Sequence, residues 1–349
     1  MGTLRIHGVI DLVQFWPKGS SDADTTKIKL IVGKNSFEYK KDGATKFSKI
    51  TVFNGAVSRG TVSKEVITTS KKTGLQTITV RLQGIDAPEL HYKAAPLKKS
   101  STVTDAKRKK FNEINEDRRQ CFAETATFEL AKHLKQFANT SGIVNAVFET
   151  VVDEPAEAVD TYARFVGNVR VGGNNDVNTW LVENGWGHPA FYTSMSKAEI
   201  EIFLKAWTKG KKKKNRPGKS ISKNANDFDM NLLYREPKAG VVIPFTPGED
   251  KGKVLMPKIY RRQVSWLISK EAKVIAASAT FKAYLKKKPD QLALLDDFLA
   301  NGINSAKVFS LDEFISAENK VLKNPEEFVF KEKAGTLVDA SGKKIEKWK

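Results

Sequence analysis

Three side chains within nine residues are arranged for chemistry on a phosphate. The segment VRLQGIDAPEL runs from Val80 to Leu90 and carries Arg81, Asp86 and Glu89, with Pro88 between the two acids. Hydrolysis of a phosphodiester needs a cation, a positioned water and positive charge against the phosphate oxygens. Asp86 can ligate the cation, Glu89 can hold or deprotonate the water, and Arg81 can contact the phosphate. Pro88 stiffens the turn so that both acids face one place. Taken alone, Asp-Ala-Pro-Glu is most often an exposed turn beside a proline.

The elements that must position these groups are short strands. RIHGVIDLVQFW, TKIKLIV, SFEYKK, KITVFNGAV, TVSKEVITT and LQTITVRLQGI hold β-branched and aromatic residues in partial alternation. Asp42-Gly43 and Thr73-Gly74 read as hairpin turns, so residues 4–85 are expected to form a barrel or sandwich. Residues 93–119 are polar and charged with no apolar stripe, which predicts a long surface loop or a partly disordered excursion, with FNEINEDRR able to run on into the next helix. Phe122, Ala126, Leu130, Leu134 and Phe137 then recur at helical spacing. IVNAVFETVV and YARFVGNVRV read as strands. A second helix, VNTWLVEN, is opened by Asp176 and closed by Gly185. A third begins at Ser196, whose capping box is completed by Glu199.

Bulk composition narrows the partner. The 349 residues suffice for two domains, and the net charge of +19 attracts polyanions, above all nucleic acid. No stretch reaches the roughly 18 apolar residues of a membrane helix, and no secretory signal core is present, so a cytoplasmic location is expected, with a nuclear one as the alternative in a eukaryote. Cys121 is the only cysteine, which excludes an intrachain disulfide and a cysteine zinc cluster. His7, His91, His133 and His188 show no ligand spacing. The run Lys211, Lys212, Lys213 and Lys214 is a candidate substrate-binding patch.

The division expected from sequence is a first domain over 1–215, a basic linker over 216–229 and a C-terminal domain over 230–349. In the last, LMPKIYRRQVSWLIS reads as a strand. FKAYLKKK, DQLALLDDFLANG and SLDEFISAENKVLKN read as helices, and GTLVDASGKKIEKW as a hairpin about Ser341-Gly342. Both parts are basic. The C-terminal domain is expected to be a smaller mixed α/β unit that binds substrate or a protein partner.

VRLQGIDAPEL resembles the signature of the staphylococcal (thermonuclease-like) nuclease family. Two further elements occur in the family's order. Asp22-Ala23-Asp24-Thr25 precedes TKIKLIV, and Asp160-Thr161-Tyr162-Ala163-Arg164 precedes FVGNVRV. The later NTWLVENGWGHPAFY is also similar. The resemblance covers roughly residues 4–215. It implies an α+β fold, an OB-like barrel of five strands with three helices, and metal-dependent hydrolysis of DNA or RNA, usually with calcium. Carried over, Asp24, Asp86 and the Ala87 carbonyl would bind calcium, with Asp22 a nearby supporting acid. Glu89 would act on the water, and Arg81 and Arg164 on the phosphate. Calcium takes about six to eight oxygens, so water and substrate would complete its shell. Ala23 and Ala163 stand where the family usually has glycine, which matters if either position needs positive φ. The alternative implied by the same fold is a non-catalytic platform for nucleic acid or a protein partner.

Overall fold

The computed structural model describes residues 1–31, 36–50, 55–59, 62–100, 102–227, 232–234, 252–332 and 335–348. The chain packs into two compact units. The first comprises 1–83, 127–181 and 332–349, and the second comprises 84–126 and 182–331. Each unit is therefore assembled from separate stretches, whereas the sequence reading divided the chain end to end.

The first unit is a closed five-stranded barrel. Its strands are β1 (Thr3–Asp11), β2 (Thr25–Lys29), β3 (Gln76–Leu82), β4 (Ile143–Val151) and β5 (Phe165–Val171). β1 runs antiparallel to β4 and to β2, β4 to β5, and β2 to β3, and the parallel pair β5–β3 completes the ring. Period-2 alternation makes this possible. Leu4, Ile6, Ile10, Ile78, Val80, Leu82, Val144, Phe148, Phe165 and Val169 point inward and are essentially inaccessible. Arg81 falls on the outward face of β3. Gly8 permits the close β1–β2 approach, since a Cβ there would lie 2.5 Å from the Lys29 carbonyl oxygen.

Both hairpin turns expected at the barrel's edge form, with Gly43 at φ +75° and Gly74 at φ +67°. The expected strand KITVFNGAV lies partly outside the described residues, and its end forms the strand Ala56–Arg59. The chain's last stretch returns to this unit: Thr336–Val338 pairs with Ala56–Arg59, and Trp348 stacks on Tyr39 at 5.0 Å. Asp339, Gly342 and Lys343 make the turn expected about Ser341-Gly342.

In the second unit, several expectations are corrected. The stretch 93–119 is not simply a surface loop. It contains α1 (Asp105–Ile114), capped by Thr104 and anchored through buried Phe111. The Asn115 side chain accepts from Ala94 N (3.1 Å) and donates to Ala94 O (2.7 Å), pinning the approach to that helix. One buried aromatic and one buried amide leave no apolar stripe for sequence periodicity to detect. The helices α2 (Ala123–Lys135) and α3 (Val177–Glu183) fall mostly in the first unit, and α4 (Lys197–Gly210) in the second. Asp176 caps α3 through Thr179 N, and Ser196 and Glu199 form the expected box on α4.

LMPKIYRRQVSWLIS is a helix, α5 (Pro257–Glu271), and not a strand. Pro257 sits at the first turn, where its missing N–H costs nothing. Tyr260, Val264 and Ile268 are buried at i, i+4 and i+8, with Ile259 and Trp266 beside them. A buried Gln263, bonded to the Ala225 carbonyl, breaks the apolar pattern that would have marked it. FKAYLKKK does form a helix, α6 (Phe281–Lys286). The expected helix at DQLALLDDFLANG is a strand, Gln291–Leu294, followed by the short α7 (Leu295–Asn301). SLDEFISAENKVLKN keeps only the turn Leu311–Phe314 behind its Ser310–Glu313 box. That strand joins Phe328–Phe330, Phe191–Tyr192 and Phe309–Ser310 in a four-stranded sheet.

The described part of the expected linker, 216–227, is packed rather than loose. Ser222 N donates to the Val254 carbonyl, Val254 N to that of Ser220, and Ala225 is fully buried. Backbone pairing of this kind is available to any residue type, so a polar composition conceals it.

Candidate active site

Asp24, Arg81 and Arg164 meet at one end of the barrel. Thr25 at the start of β2 is in register with Arg81 near the end of β3, and Leu82 N donates to Asp24 O at 2.8 Å. That backbone bond sets Asp24 against the strand, and its carboxylate pairs with Arg81 Nη1 at 2.9 Å. Asp24 is 2% exposed. An ion pair so little hydrated has to be well paired to repay its desolvation.

Arg164 is positioned by its own turn. Asp160 Oδ1 accepts from Tyr162 N (2.8 Å) and Arg164 N (3.0 Å), while Oδ2 accepts from Arg164 Nε (2.8 Å). Arg164 Nη1 lies 3.5 Å from Thr25 Oγ1, which itself donates to Asp24 Oδ1 at 3.2 Å. The turn requires a left-handed residue, and Ala163 occupies it at φ +61°, whereas Ala23 is not among the positive-φ positions. A side chain at such an angle is strained. Ala163→Gly is therefore expected to stabilise the protein by about 1 kcal/mol, read from the urea unfolding midpoint. A variant no more stable than the parent would remove the strain argument. Asp22 contributes its carbonyl, which accepts from Thr25 N.

Asp86 and Glu89 meet across a residue that sequence reasoning missed. Asp86 lies in the short strand Ile85–Asp86, paired with His188–Pro189, and is fully buried. Its Oδ2 accepts from Lys258 N at 2.9 Å, so it caps the first turn of α5, and its Oδ1 lies 3.7 Å from Arg261 Nη2. Arg261 Nη1 also pairs with Glu89 Oε1. Glu89 is held at its backbone by Gln120: its N donates to Gln120 Oε1 (3.0 Å) and its carbonyl accepts from Gln120 N (2.9 Å). Gln120 in turn donates to the Leu255 carbonyl at 2.8 Å. Ala87, between the acids, is buried. The adjacent arginines Arg261-Arg262 in LMPKIYRRQVSWLIS are the sequence feature that could have pointed to Arg261.

Lys258 places its ammonium over the rings of Phe330 (4.3 Å to the centroid) and Tyr192 (5.5 Å). Burial pushes its pKa down to about 8. Lys211 closes α4 and pairs with Glu326 at 3.8 Å, and Lys212, Lys213 and Lys214 follow it, exposed.

His188 is buried beside Trp207, and burial pushes its pKa down to about 4 from 6.5. The unfolded chain then takes up the proton first, so stability present above about pH 6.5 is lost as pH falls toward 4. The full loss is of order 3 kcal/mol. Urea midpoints between pH 7 and 4.5 should fall less steeply for His188→Phe than for the wild type. Parallel profiles would exclude this histidine as the cause.

Among the described residues, no group of three His, Cys, Asp or Glu side chains is placed to hold a metal ion, and no helix is long and apolar enough to cross a membrane. The closed five-stranded barrel with added helices is an α+β fold of the OB-like nuclease type. Residues 79–216, under half of the chain's length, match the family described as staphylococcal nuclease homologue. The match includes Arg81, Asp86, Glu89 and Arg164 and begins after Asp24. No curated protein matches the chain.

Proposed function

We propose that the chain is a nuclease that hydrolyses phosphodiester bonds of DNA or RNA. The observation that carries this reading is the cluster at the barrel end, where Arg81 and Arg164 are gathered about Asp24 and Thr25. Two guanidinium groups held by carboxylates are preorganised to take the charge of a phosphate, and their planar forks match its oxygens. Glu89, fixed at its backbone by Gln120, supplies the carboxylate that accepts a proton from water. By the family resemblance the two arginines fall on one phosphate.

Calcium suits the donors by their chemistry. Asp86 and the Ala87 carbonyl offer hard oxygens, and the position between Asp86 and Glu89 already holds a cation, the Arg261 guanidinium. Asp24, the other expected ligand, is held by Arg81. When bound, the ion would polarise a phosphate oxygen and lower the pKa of its water. The lysines at 211–214 add a sequence-independent attraction for the polyanion.

A specific observation favours a second reading, a nucleic-acid platform without turnover: Asp24, Asp86 and Glu89 each form an ion pair with an arginine, and Asp86 also caps α5. Digestion of labelled DNA and RNA in calcium, magnesium or chelator separates the two. Cleavage supports the nuclease, and retention of the probe without cleavage in every condition supports the platform.

A further inference from the structure

Arg261 lies outside the nuclease-like segment, yet its guanidinium reaches both acids of the signature turn. Its helix cannot withdraw. Ile259, Tyr260, Val264 and Ile268 on α5 are 0–2% exposed in the core of the second unit, and the first turn of α5 is tied to Asp86 through Lys258 N. The side chain of Arg261 is different. It is 27% exposed and attached through a flexible stem, so the guanidinium can leave while the helix stays.

We propose that Arg261 is an internal counter-cation of Asp86 and Glu89 that competes with a divalent metal ion for Asp86. This rests on the calcium part of the proposed function. A divalent ion on Asp86 and a guanidinium within about 4 Å would repel each other, because like charges at that range are costly when little water separates them. Metal entry therefore requires the Arg261 guanidinium to swing off Asp86, and the same movement frees the Glu89 carboxylate to accept a proton. Arg261 thereby sets the metal concentration at which the site becomes competent, and holds the base neutralised below it.

The test is calcium binding alone, without nucleic acid, by calorimetric titration of calcium chloride into the full chain. Arg261→Gln is expected to bind calcium at least about tenfold more tightly than the wild type, since a like charge next to the ion is removed. Arg261→Lys keeps the charge and should stay within about threefold of the wild type. Should Arg261→Gln fail to fold, the wild type still decides. Its Arg261 Nε–H resonance, assigned by its loss in Arg261→Lys, should shift saturably with calcium at the calorimetric midpoint. Unchanged or weaker calcium binding in Arg261→Gln, a resonance that calcium leaves in place, or no calcium binding by any of the proteins would overturn the proposal. Tighter calcium binding in Arg261→Gln with no cleavage of DNA or RNA would keep the competition and sink the nuclease reading. Calcium-dependent cleavage with unaltered affinity in the variant would do the reverse.

Discussion

Glu89→Gln is expected to lower the single-turnover cleavage of labelled nucleic acid by at least about 100-fold, within the range for loss of a general base. The carboxamide keeps the shape of the side chain, and the bonds that place Glu89 run through its backbone to Gln120. Its position should therefore survive the change. What disappears is the capacity to take a proton and the charge that holds the Arg261 guanidinium. Breaking a poorly hydrated ion pair can cost up to about 3–5 kcal/mol, so melting curves must accompany the kinetics and rates be compared on folded protein. Nucleic-acid binding in chelator should change little, because the role proposed for Glu89 is on the water and not on the phosphate. Undiminished turnover would take Glu89 out of the mechanism.

Arg164→Lys should reduce the rate at saturating substrate by roughly 100-fold, on the scale of losing one preorganised donor, while substrate affinity stays within about tenfold. The geometry explains the asymmetry. Arg164 commits Nε to Asp160 and turns Nη1 toward Thr25, so its fork has a fixed plane and direction. A lysine ammonium can occupy the region as a point charge and retain ground-state attraction, yet it cannot reproduce two directed donors. Donors aligned in advance gain most as charge builds up on the phosphorane-like transition state. Asp160 would still organise the turn through the backbone N–H groups of residues 162 and 164, so the fold should hold. The measurement is single-turnover cleavage beside direct binding to uncleaved substrate in chelator. Equal losses of binding and rate would mean that Arg164 acts on the ground state alone, as a platform would require.

Two kinds of information decided this protein's structure. Local chemistry was legible in the chain itself. Strand alternation placed Ile78, Val80 and Leu82 inward and Arg81 outward, the Asp42-Gly43 and Thr73-Gly74 turns formed, and Ser196 and Glu199 capped a helix. Those features depend on neighbours a few residues away, so a linear reading can find them. The short spacing from Arg81 to Glu89 raised the expectation of phosphate chemistry that the proposed function rests on, and the Asp160 turn left its mark in the residues flanking Ala163.

The setting of the two signature acids was decided only by tertiary structure. Gln120, which fixes Glu89, is 31 residues away, and Arg261 is 172 residues from Glu89. Nothing in local periodicity connects them. The helix that delivers Arg261 hid behind Pro257 and the buried Gln263, whose amide is tolerated inside only because the distant Ala225 carbonyl receives its hydrogen bond. The same holds for α1, anchored by Phe111 and the Asn115–Ala94 pair. A buried polar group is stable only with its partner in place. The sequence therefore determined which residues could do the chemistry, and the tertiary structure determined which charges they face: burial joins residues far apart in the chain, and only the folded chain can satisfy a carboxylate removed from water.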